Sequence, residues 1–226
     1  MSSVGRLLLA LSAVWICALF PRGSQATLIV NGSFEAPGSP YGPFGIEAGS
    51  TYFPGWVVSQ GDIDYGGPGN CGDGLHCLDL DGYTFGGIAQ TFSTVPGQQY
   101  QVSFMLSGNS ARYSPTEPVE KYLGLSAAGT STSFVFTVVP GEYPLRWTSQ
   151  EWFFTASAHS TTFEFYSLDS LELGHSGLFG PMIDAVGVDA VPEPSPALLV
   201  ALGLALLARR TAGLCSWHHR PRRAAA

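Results

Sequence analysis

Residues 96–106 read Pro-Gly-Gln-Gln-Tyr-Gln-Val-Ser-Phe-Met-Leu, a turn followed by alternating polar and apolar side chains. Successive side chains of an extended strand point to opposite faces, so one face of this stretch carries Tyr100, Val102, Phe104 and Leu106. A strand with one apolar and one polar face is typical of an antiparallel sheet that covers a core on one side.

The same pattern of short apolar stretches, separated by turn residues such as Pro-Gly, runs from residue 27 to residue 190. This pattern predicts an all-β fold, an antiparallel β-sandwich. Strands are predicted near residues 27–30, 55–59, 76–80, 87–93, 99–107, 121–125, 131–138, 146–156, 161–167 and 182–188. Long loops are predicted at residues 37–53, 110–118 and 168–178, and such loops often carry binding sites.

The first 26 residues have the composition of a secretory signal. Arg6 precedes an apolar stretch at residues 7–20, and Ser24 and Ala26 supply the small residues that signal peptidase recognises. We therefore predict a signal helix in residues 1–26, with cleavage by signal peptidase after Ala26. The alternative, a membrane-anchored N-terminus, fits less well because the apolar stretch is too short for a span.

A second apolar stretch lies near the C-terminus, at residues 196–208. A helix of that length covers roughly 20 Å, whereas the hydrocarbon core of a bilayer is roughly 30 Å thick. Arg209 and Arg210 follow it and favour a cytoplasmic position for the end of the chain. A short apolar helix with this polarity suits a processing signal better than a permanent anchor.

This tail resembles the PEP-CTERM sorting signal, and the matching residues are Pro192-Glu193-Pro194, the apolar residues 197–208 and Arg209-Arg210. The resemblance implies an exported protein of a Gram-negative bacterium, processed by an exosortase after transient anchoring in the inner membrane. It further implies a final location at the cell surface or in the extracellular matrix. The resemblance covers residues 191–210, and the basic extension at residues 211–226 departs from the usual pattern.

The part between the two signals, residues 27–190, is long enough for one domain with a sizeable core. It holds sixteen acidic residues against Arg112, Lys121 and Arg146, a net charge of −13, whereas the whole chain carries −7. So acidic a surface repels phosphate backbones, which argues against nucleic acid as a partner. Divalent cations and neutral sugars are compatible with it, and solubility after secretion is the simplest reason for most of the charge.

Two cysteines remain in this domain, Cys71 and Cys77. In an oxidising compartment a pair so close in sequence favours a disulfide that closes a turn. The alternative is a zinc site that also uses His76 and Asp73, but the spacing matches no common zinc pattern.

Residues 27–190 also resemble the choice-of-anchor C domain, which is related to a plant cell-wall domain of unknown function and to galactose-binding-like carbohydrate modules. The matching motifs, in chain order, are LIVNGSFE at 28–35, GWVV at 55–58, DIDY at 62–65, CLDLDG at 77–82, GIAQTF at 87–92, PGQQYQVSF at 96–104, GN at 108–109 and PMIDAV at 181–186. The resemblance implies that the sandwich is a jelly roll. Phe34 and Trp56 have a plainer interpretation as core aromatics, and Gln90 as a strand residue whose amide is satisfied by a neighbouring backbone.

Carbohydrate modules of this architecture often hold a structural calcium ion between the first strand and the last. The resemblance places Glu35 and Asp184 at the corresponding positions, and carboxylates are ligands that calcium prefers. The alternative is that both are surface acids at strand ends. Asp79 and Asp81 also suggest a calcium loop, but the rest of an EF-hand is absent, and we expect both to be solvated.

Sugar binding is the function that this resemblance implies. Aromatic side chains stack on sugar rings, and the candidates in loop-like sequence are Tyr41, Phe44, Tyr52, Tyr65 and Tyr83. Core packing is the alternative for each of them. The sequence leaves open whether a ligand binds at a loop rim or on a sheet face.

We therefore predict a non-catalytic protein that binds cell-surface or extracellular polysaccharide. A hydrolase acting on matrix polysaccharide is one alternative, although the sequence contains no nucleophile elbow, HExxH, phosphate-binding loop or dinucleotide fingerprint. A purely structural surface protein is the other.

Overall fold

The computed structural model describes residues 27–39, 42–111 and 114–192. The predicted signal helix at residues 1–26 and the predicted apolar helix after Pro192 lie outside the described residues. Within the described part, no helix has the length and apolar character needed to cross a membrane.

The described residues form eleven strands and one 3-10 turn. They are β1 (Ile46–Glu47), β2 (Val57–Gln60), β3 (Asp62–Gly66), β4 (Cys77–Asp79), β5 (Gly87–Ser93), β6 (Gln99–Gly108), β7 (Glu120–Ala127), β8 (Thr130–Thr137), β9 (Thr148–Thr155), β10 (Ser160–Ser167), the turn Leu171–Leu173 and β11 (Pro181–Ala190). All pairings are antiparallel. One sheet has the order β1-β3-β4-β11-β6-β9 and the other the order β2-β5-β10-β7-β8.

The chain passes back and forth between the two sheets. Strands β4, β6, β9 and β11 belong to the six-stranded sheet, and β5, β7, β8 and β10 belong to the five-stranded one. Connections that repeatedly cross from one sheet to the other are the mark of a jelly roll. The predicted all-β jelly-roll sandwich is therefore confirmed.

The core lies between the sheets and follows the predicted alternation. Tyr100, Val102, Phe104 and Leu106 on β6 are all buried. The ring of Phe104 meets that of Phe165 on β10 at 4.9 Å between centroids, so the two sheets are joined through aromatic packing. Phe34 and Trp56 are also buried, as predicted, and their rings lie 5.2 Å apart.

The predicted strand at residues 27–30 is wrong. The Leu28 N–H donates to the Val188 carbonyl of β11 at 2.9 Å, but the segment forms no continuous strand, and the side chain of Gln90 on β5 holds Val30. The Gln90 amide accepts a hydrogen bond from the Val30 N–H at 2.8 Å and donates one to the Val30 carbonyl at 3.0 Å. The prediction that a neighbouring backbone satisfies the Gln90 amide is thus confirmed.

Two strands were not predicted. β1 lies within the stretch predicted as a loop at residues 37–53, and β3 is the acidic, glycine-flanked sequence Asp62–Gly66. Both are short, and β3 is paired on both sides, with β1 and with β4. Pairing with neighbours therefore overrides the weak strand preference of aspartate and glycine.

The expectation that Asp79 and Asp81 are solvated is also wrong, because both are buried. Asp81 lies in a buried polar cluster, which we call the rim cluster and which also contains Glu117, Lys121, Asp169 and His175. The Lys121 ammonium is fully buried, 3.7 Å from Glu117 Oε1 and 3.9 Å from Asp169 Oδ2.

Burial raises the pKa of Asp81 to about 8, and the nearby Asp79 carboxyl raises it further, whereas Ser167 and Lys121 lower it by less. The folded protein therefore keeps this carboxyl protonated at pH values where the unfolded chain has already lost the proton. The stability that this group contributes is complete below about pH 4, its usual range, and is lost as the pH rises through 8.

We predict that replacing Asp81 with asparagine flattens the dependence of stability on pH. Asparagine cannot ionise, so the unfolding free energy of Asp81→Asn should decline less than that of the wild type between pH 5 and pH 8, by on the order of 1–3 kcal/mol. Urea denaturation at several pH values measures this. The matched control is Glu151→Gln, an exposed acid on β9, and parallel curves for Asp81→Asn and wild type would contradict the prediction.

Candidate functional site

The outer face of the six-stranded sheet carries an aligned row of side chains. Ile63, Leu78 and Ile183 point into the core, so the residues next to them in sequence point outward. The strand register then sets Asp64 opposite Asp79, and Asp79 opposite Met182.

Loops rise around this row and enclose an open groove of about 570 Å³. Four loops form its walls, and each places a polar or aromatic side chain at the groove. These side chains are Phe44, Asn70, Asn109 and Tyr143. Asp64, Asp79 and Met182 lie on the floor. We call this cavity the Tyr143 groove. A volume of this size lies within the range of small-molecule sites.

Two aromatic rings of the groove are largely exposed, Phe44 at 68% and Tyr143 at 71%. Phe44 precedes the edge strand β1, and Tyr143 precedes the opposite edge strand β9. They therefore approach the row from opposite edges of the sheet. Large aromatic side chains that remain exposed on a folded surface, around a cavity with polar groups, are typical of a binding site.

The buried floor carboxyl, Asp79, is held by three donors. Its Oδ1 accepts from the backbone N–H groups of Asp81 at 3.0 Å and Gly180 at 2.9 Å, and its Oδ2 accepts from Asn109 Nδ2 at 2.8 Å. Burial nevertheless raises its pKa to about 7, with a smaller contribution from the neighbouring Asp64. Asp79 therefore orients the Asn109 amide at the groove and is itself fully bonded.

Asp64 is less enclosed and accepts a hydrogen bond from the Gly45 N–H at 2.7 Å. Burial raises its pKa to about 6, the Gly45 N–H lowers it, and the adjacent Asp62 raises it. At neutral pH this carboxyl is mostly ionised and faces the groove.

One wall of the groove belongs to the loop closed by the disulfide. Cys71 and Cys77 are bonded at 2.04 Å, which confirms the predicted disulfide. Asn70, the neighbour of Cys71, lines the groove, and its carbonyl accepts a hydrogen bond from Trp147 Nε1 at 2.9 Å. The position of this wall therefore depends on how the loop is held.

The predicted calcium ligands hold this loop through backbone amides. Asp184 Oδ2 accepts from the N–H groups of Gly72 at 3.0 Å and Asp73 at 2.8 Å, and its Oδ1 accepts from Ala185. Glu35 Oε1 accepts from the N–H groups of Leu75 at 2.7 Å and His76 at 2.9 Å. Two carboxylates thus hold the disulfide loop between them.

This set of donors does not fit a calcium ion at these two residues. A cation needs six to eight oxygen ligands, whereas the neighbours of the Asp184 oxygens are hydrogen-bond donors. Burial raises the pKa of Asp184 to about 7, and the three N–H groups lower it by less. Calcium binding by Glu35 and Asp184 stays a prediction without geometric support.

The zinc alternative does not fit either. Cys71, Cys77 and Asp184 place ligand-type atoms within 4.8 Å of one another, but the two sulfur atoms are bonded to each other. A disulfide sulfur is not a thiolate and does not bind zinc. His76 is buried and stacks on Tyr65 at 4.6 Å.

The predicted sugar-binding aromatics separate into groups. Phe44 and Tyr65 line the groove, but Tyr65 is buried and its hydroxyl donates to the Phe34 carbonyl at 2.7 Å. Tyr52 packs partly buried against the core, and Tyr83 is exposed but does not line the groove. Tyr41 lies outside the described residues.

The sorting motif falls almost entirely outside the described residues. Pro192 is the last residue described, and Glu193, Pro194, Arg209 and Arg210 lie beyond it.

Sequence reasoning missed Tyr143, Asn109 and Asn70 as members of the site. Tyr143 follows the turn Pro140-Gly141, and Asn109 directly follows β6 in the Gly108-Asn109 motif, so both had a loop signal. Nothing in the sequence links them, because they come together only through sheet pairing across more than 70 residues.

The fold and the groove together define a β-sandwich module with an open groove on the outer face of one sheet. The sequence profile of a family described as "Protein of unknown function (DUF642)" matches residues 27–189, and the chain belongs to that family. The narrower resemblance to the choice-of-anchor C domain and to PEP-CTERM proteins stays a prediction.

The chain is also similar to part of halomucin from Haloquadratum walsbyi, with 28% identity over 176 residues, 75% of this chain. It spans about 2% of the length of that protein. Among solved structures it is similar to TmCBM61 in complex with beta-1,4-galactotriose, with 17% identity over 74% of this chain and 100% of that one, at a TM-score of 0.44. A family 35 carbohydrate binding module from Clostridium thermocellum has 12% identity over 60% of this chain and 92% of that one, at 0.43.

We predict that chelation leaves the protein's stability unchanged, because backbone N–H groups already satisfy the Asp184 oxygens. The melting temperature of the purified protein in excess EDTA should equal that in calcium.

Asp184→Asn should lower the free energy of unfolding by about 2 kcal/mol, because an amide replaces one acceptor oxygen with a donor facing N–H groups. The matched control is Glu164→Gln on β10, which should have little effect; a clear fall in melting temperature with EDTA would instead support the calcium site.

Proposed function

We propose that this domain binds polysaccharide without transforming it, and that the Tyr143 groove is the binding site. The observation that carries the proposal is the pair of exposed rings, Phe44 and Tyr143, around a floor of amide and carboxylate groups. Sugar rings have apolar faces that pack on aromatic rings and hydroxyl edges that donate and accept hydrogen bonds. The groove offers both kinds of contact within one cavity.

The arrangement of the carboxyl groups supports binding over hydrolysis. A glycosidase places two carboxyl groups on either side of the scissile bond, roughly 5 to 10 Å apart. Asp64 and Asp79 lie opposite each other on paired strands of the groove floor, so both are on the same side of a bound ligand, and Asp79 accepts three hydrogen bonds. Glu142, at the wall, is held by Arg146 Nε through both carboxylate oxygens, at 2.8 and 3.0 Å.

Hydrolysis remains the second candidate because the pKa values of Asp64 and Asp79 are raised to about 6 and about 7. Raised carboxyl pKa values are a property of general acids. The two candidates differ in one measurement, the release of reducing ends from a bound oligosaccharide over hours. A purely structural role, the third, gives no reason for exposed aromatic rings around a groove.

We further propose that the protein is exported, cut after Ala26 by signal peptidase, and sorted by an exosortase to the surface or matrix of a Gram-negative bacterium. The support is the composition of residues 1–26 and of residues 191–210. The Cys71–Cys77 disulfide agrees with an oxidising compartment.

We predict that replacing Pro192, Glu193 and Pro194 with alanine keeps the C-terminal segment attached in a host that has an exosortase. Mass spectrometry of the inner-membrane and extracellular fractions measures this. The matched control replaces Pro196, outside the motif, and should be processed normally. Identical processing of both variants would argue against sorting through this motif.

We predict that Tyr143→Ala weakens oligosaccharide binding about tenfold, because it removes one stacking surface at the groove. Isothermal titration of the purified protein with β-1,4-linked tetrasaccharides of glucose, galactose, N-acetylglucosamine and glucosamine measures the affinity. The matched control is Phe153→Ala, which removes a half-exposed ring on β9 away from the groove. Equal losses in both variants, or no binding by the wild type, would contradict the proposed site.

A further inference from the structure

Two residues that line the groove, Asp64 and Asn70, carry an acceptor oxygen that receives no hydrogen bond from the described residues. One oxygen of Asp64 accepts from Gly45, and among the described residues nothing donates to its other oxygen. Asn70 Oδ1 is buried and accepts no hydrogen bond from the described residues. A ligand that satisfies the open oxygen of Asp64 must bring an N–H or O–H donor.

The negative charge at the floor has no described cation as a partner. The described part of residues 27–190 contains two basic side chains, Lys121 and Arg146. Lys121 is buried among Glu117 and Asp169 in the rim cluster, and Arg146 binds Glu142. Arg146 thereby pairs with Glu142, whereas no basic side chain of the described residues pairs with Asp64.

An exposed aromatic ring lines the same groove as this carboxylate. The N–H that binds Asp64 belongs to Gly45, and the preceding residue in the same loop is Phe44. A ligand cation at this place meets a carboxylate and can also lie against an aromatic face, and both attract it.

A hydroxyl group and an ammonium group would both donate to Asp64, but they differ in charge. A hydroxyl offers one hydrogen and leaves the carboxylate charge uncompensated in a partly buried position. An ammonium offers three hydrogens and neutralises that charge. The raised pKa of Asp64 shows the cost of leaving the charge alone, since burial is its main cause.

From these contacts, and resting on the polysaccharide binding proposed above, we propose that the Tyr143 groove recognises a polysaccharide whose sugars carry free amino groups, with the ammonium bound by Asp64 beside Phe44. The net charge of −13 on residues 27–190 attracts such a chain from solution. The same charge repels uronic-acid chains, so the groove separates polysaccharides by the sign of their charge.

The test compares four tetrasaccharides by isothermal titration with the purified protein at pH 7: β-1,4-glucosamine, β-1,4-N-acetylglucosamine, β-1,4-glucose and α-1,4-galacturonate. The glucosamine tetramer should bind at least tenfold more tightly than the N-acetylated one, and the galacturonate should show no binding. Raising the salt concentration to 0.5 M should weaken only the binding of glucosamine, because screening acts on the ion pair.

Two variants test the assignment to Asp64. Asp64→Asn should abolish the preference for glucosamine over its N-acetylated form, measured as the ratio of the two affinities within that variant. Phe44→Leu changes a side chain that is 68% exposed, so it should fold normally and reduce affinity for the glucosamine tetramer. Glu151→Gln on β9 removes one negative charge, as Asp64→Asn does, but lies outside the groove. It should leave the preference for glucosamine unchanged.

The outcomes separate this proposal from the general one. Equal or tighter binding of the neutral tetramers overturns the amino-sugar proposal and leaves polysaccharide binding standing. A preference that survives Asp64→Asn, or that Glu151→Gln reduces as much, overturns the role of Asp64. Failure of all four tetrasaccharides to bind overturns both proposals.

Discussion

The register of β11 against its two neighbours is the constraint on which the groove depends. Pairing with β4 sets Met182 opposite Asp79, and pairing with β6 sets Asp184 opposite Met105. A shift by one residue would exchange the inward and outward sides of the strand. It would turn Ile183 out of the core and remove Asp184 from the disulfide loop. The apolar core therefore fixes the groove floor indirectly, by allowing only one register.

Acidic residues in this domain have a structural role that composition does not reveal. Several of their carboxylates accept hydrogen bonds from backbone N–H groups of a distant loop: Glu35, Asp62, Asp79 and Asp184. Such bonds are charge-assisted and satisfy donors that loops cannot pair among themselves. Solubility was the simplest reason for the charge, but a good part of it holds loops in place. The same use explains why the predicted calcium ligands face amide groups.

The disulfide loop connects these bonds to the groove. Asp184 and Glu35 each accept hydrogen bonds from the backbone N–H groups of two consecutive loop residues, and the disulfide closes the loop. The loop then presents Asn70 at the wall, where the Trp147 ring donates to its carbonyl. The groove wall therefore depends on the disulfide loop. The carboxylates of Glu35 and Asp184 hold this glycine-rich loop in one conformation through its backbone N–H groups.

The sequence by itself determined the fold class, most of the strands from β4 to β11, the disulfide and the apolar core, because these follow from local alternation and from cysteines only six residues apart. It also indicated Phe44 as a candidate for the groove. The tertiary structure alone decided that the groove lies on a sheet face and that Asp64, Asn109 and Tyr143 share it. These residues lie far apart in the chain, and only the pairing of strands across the sheet brings them together. Likewise, only the tertiary structure shows that Asp79 and Asp81 are buried and that burial raises their pKa values. The alternation of polar and apolar residues predicts which face of a strand a side chain lies on, but not what covers that face.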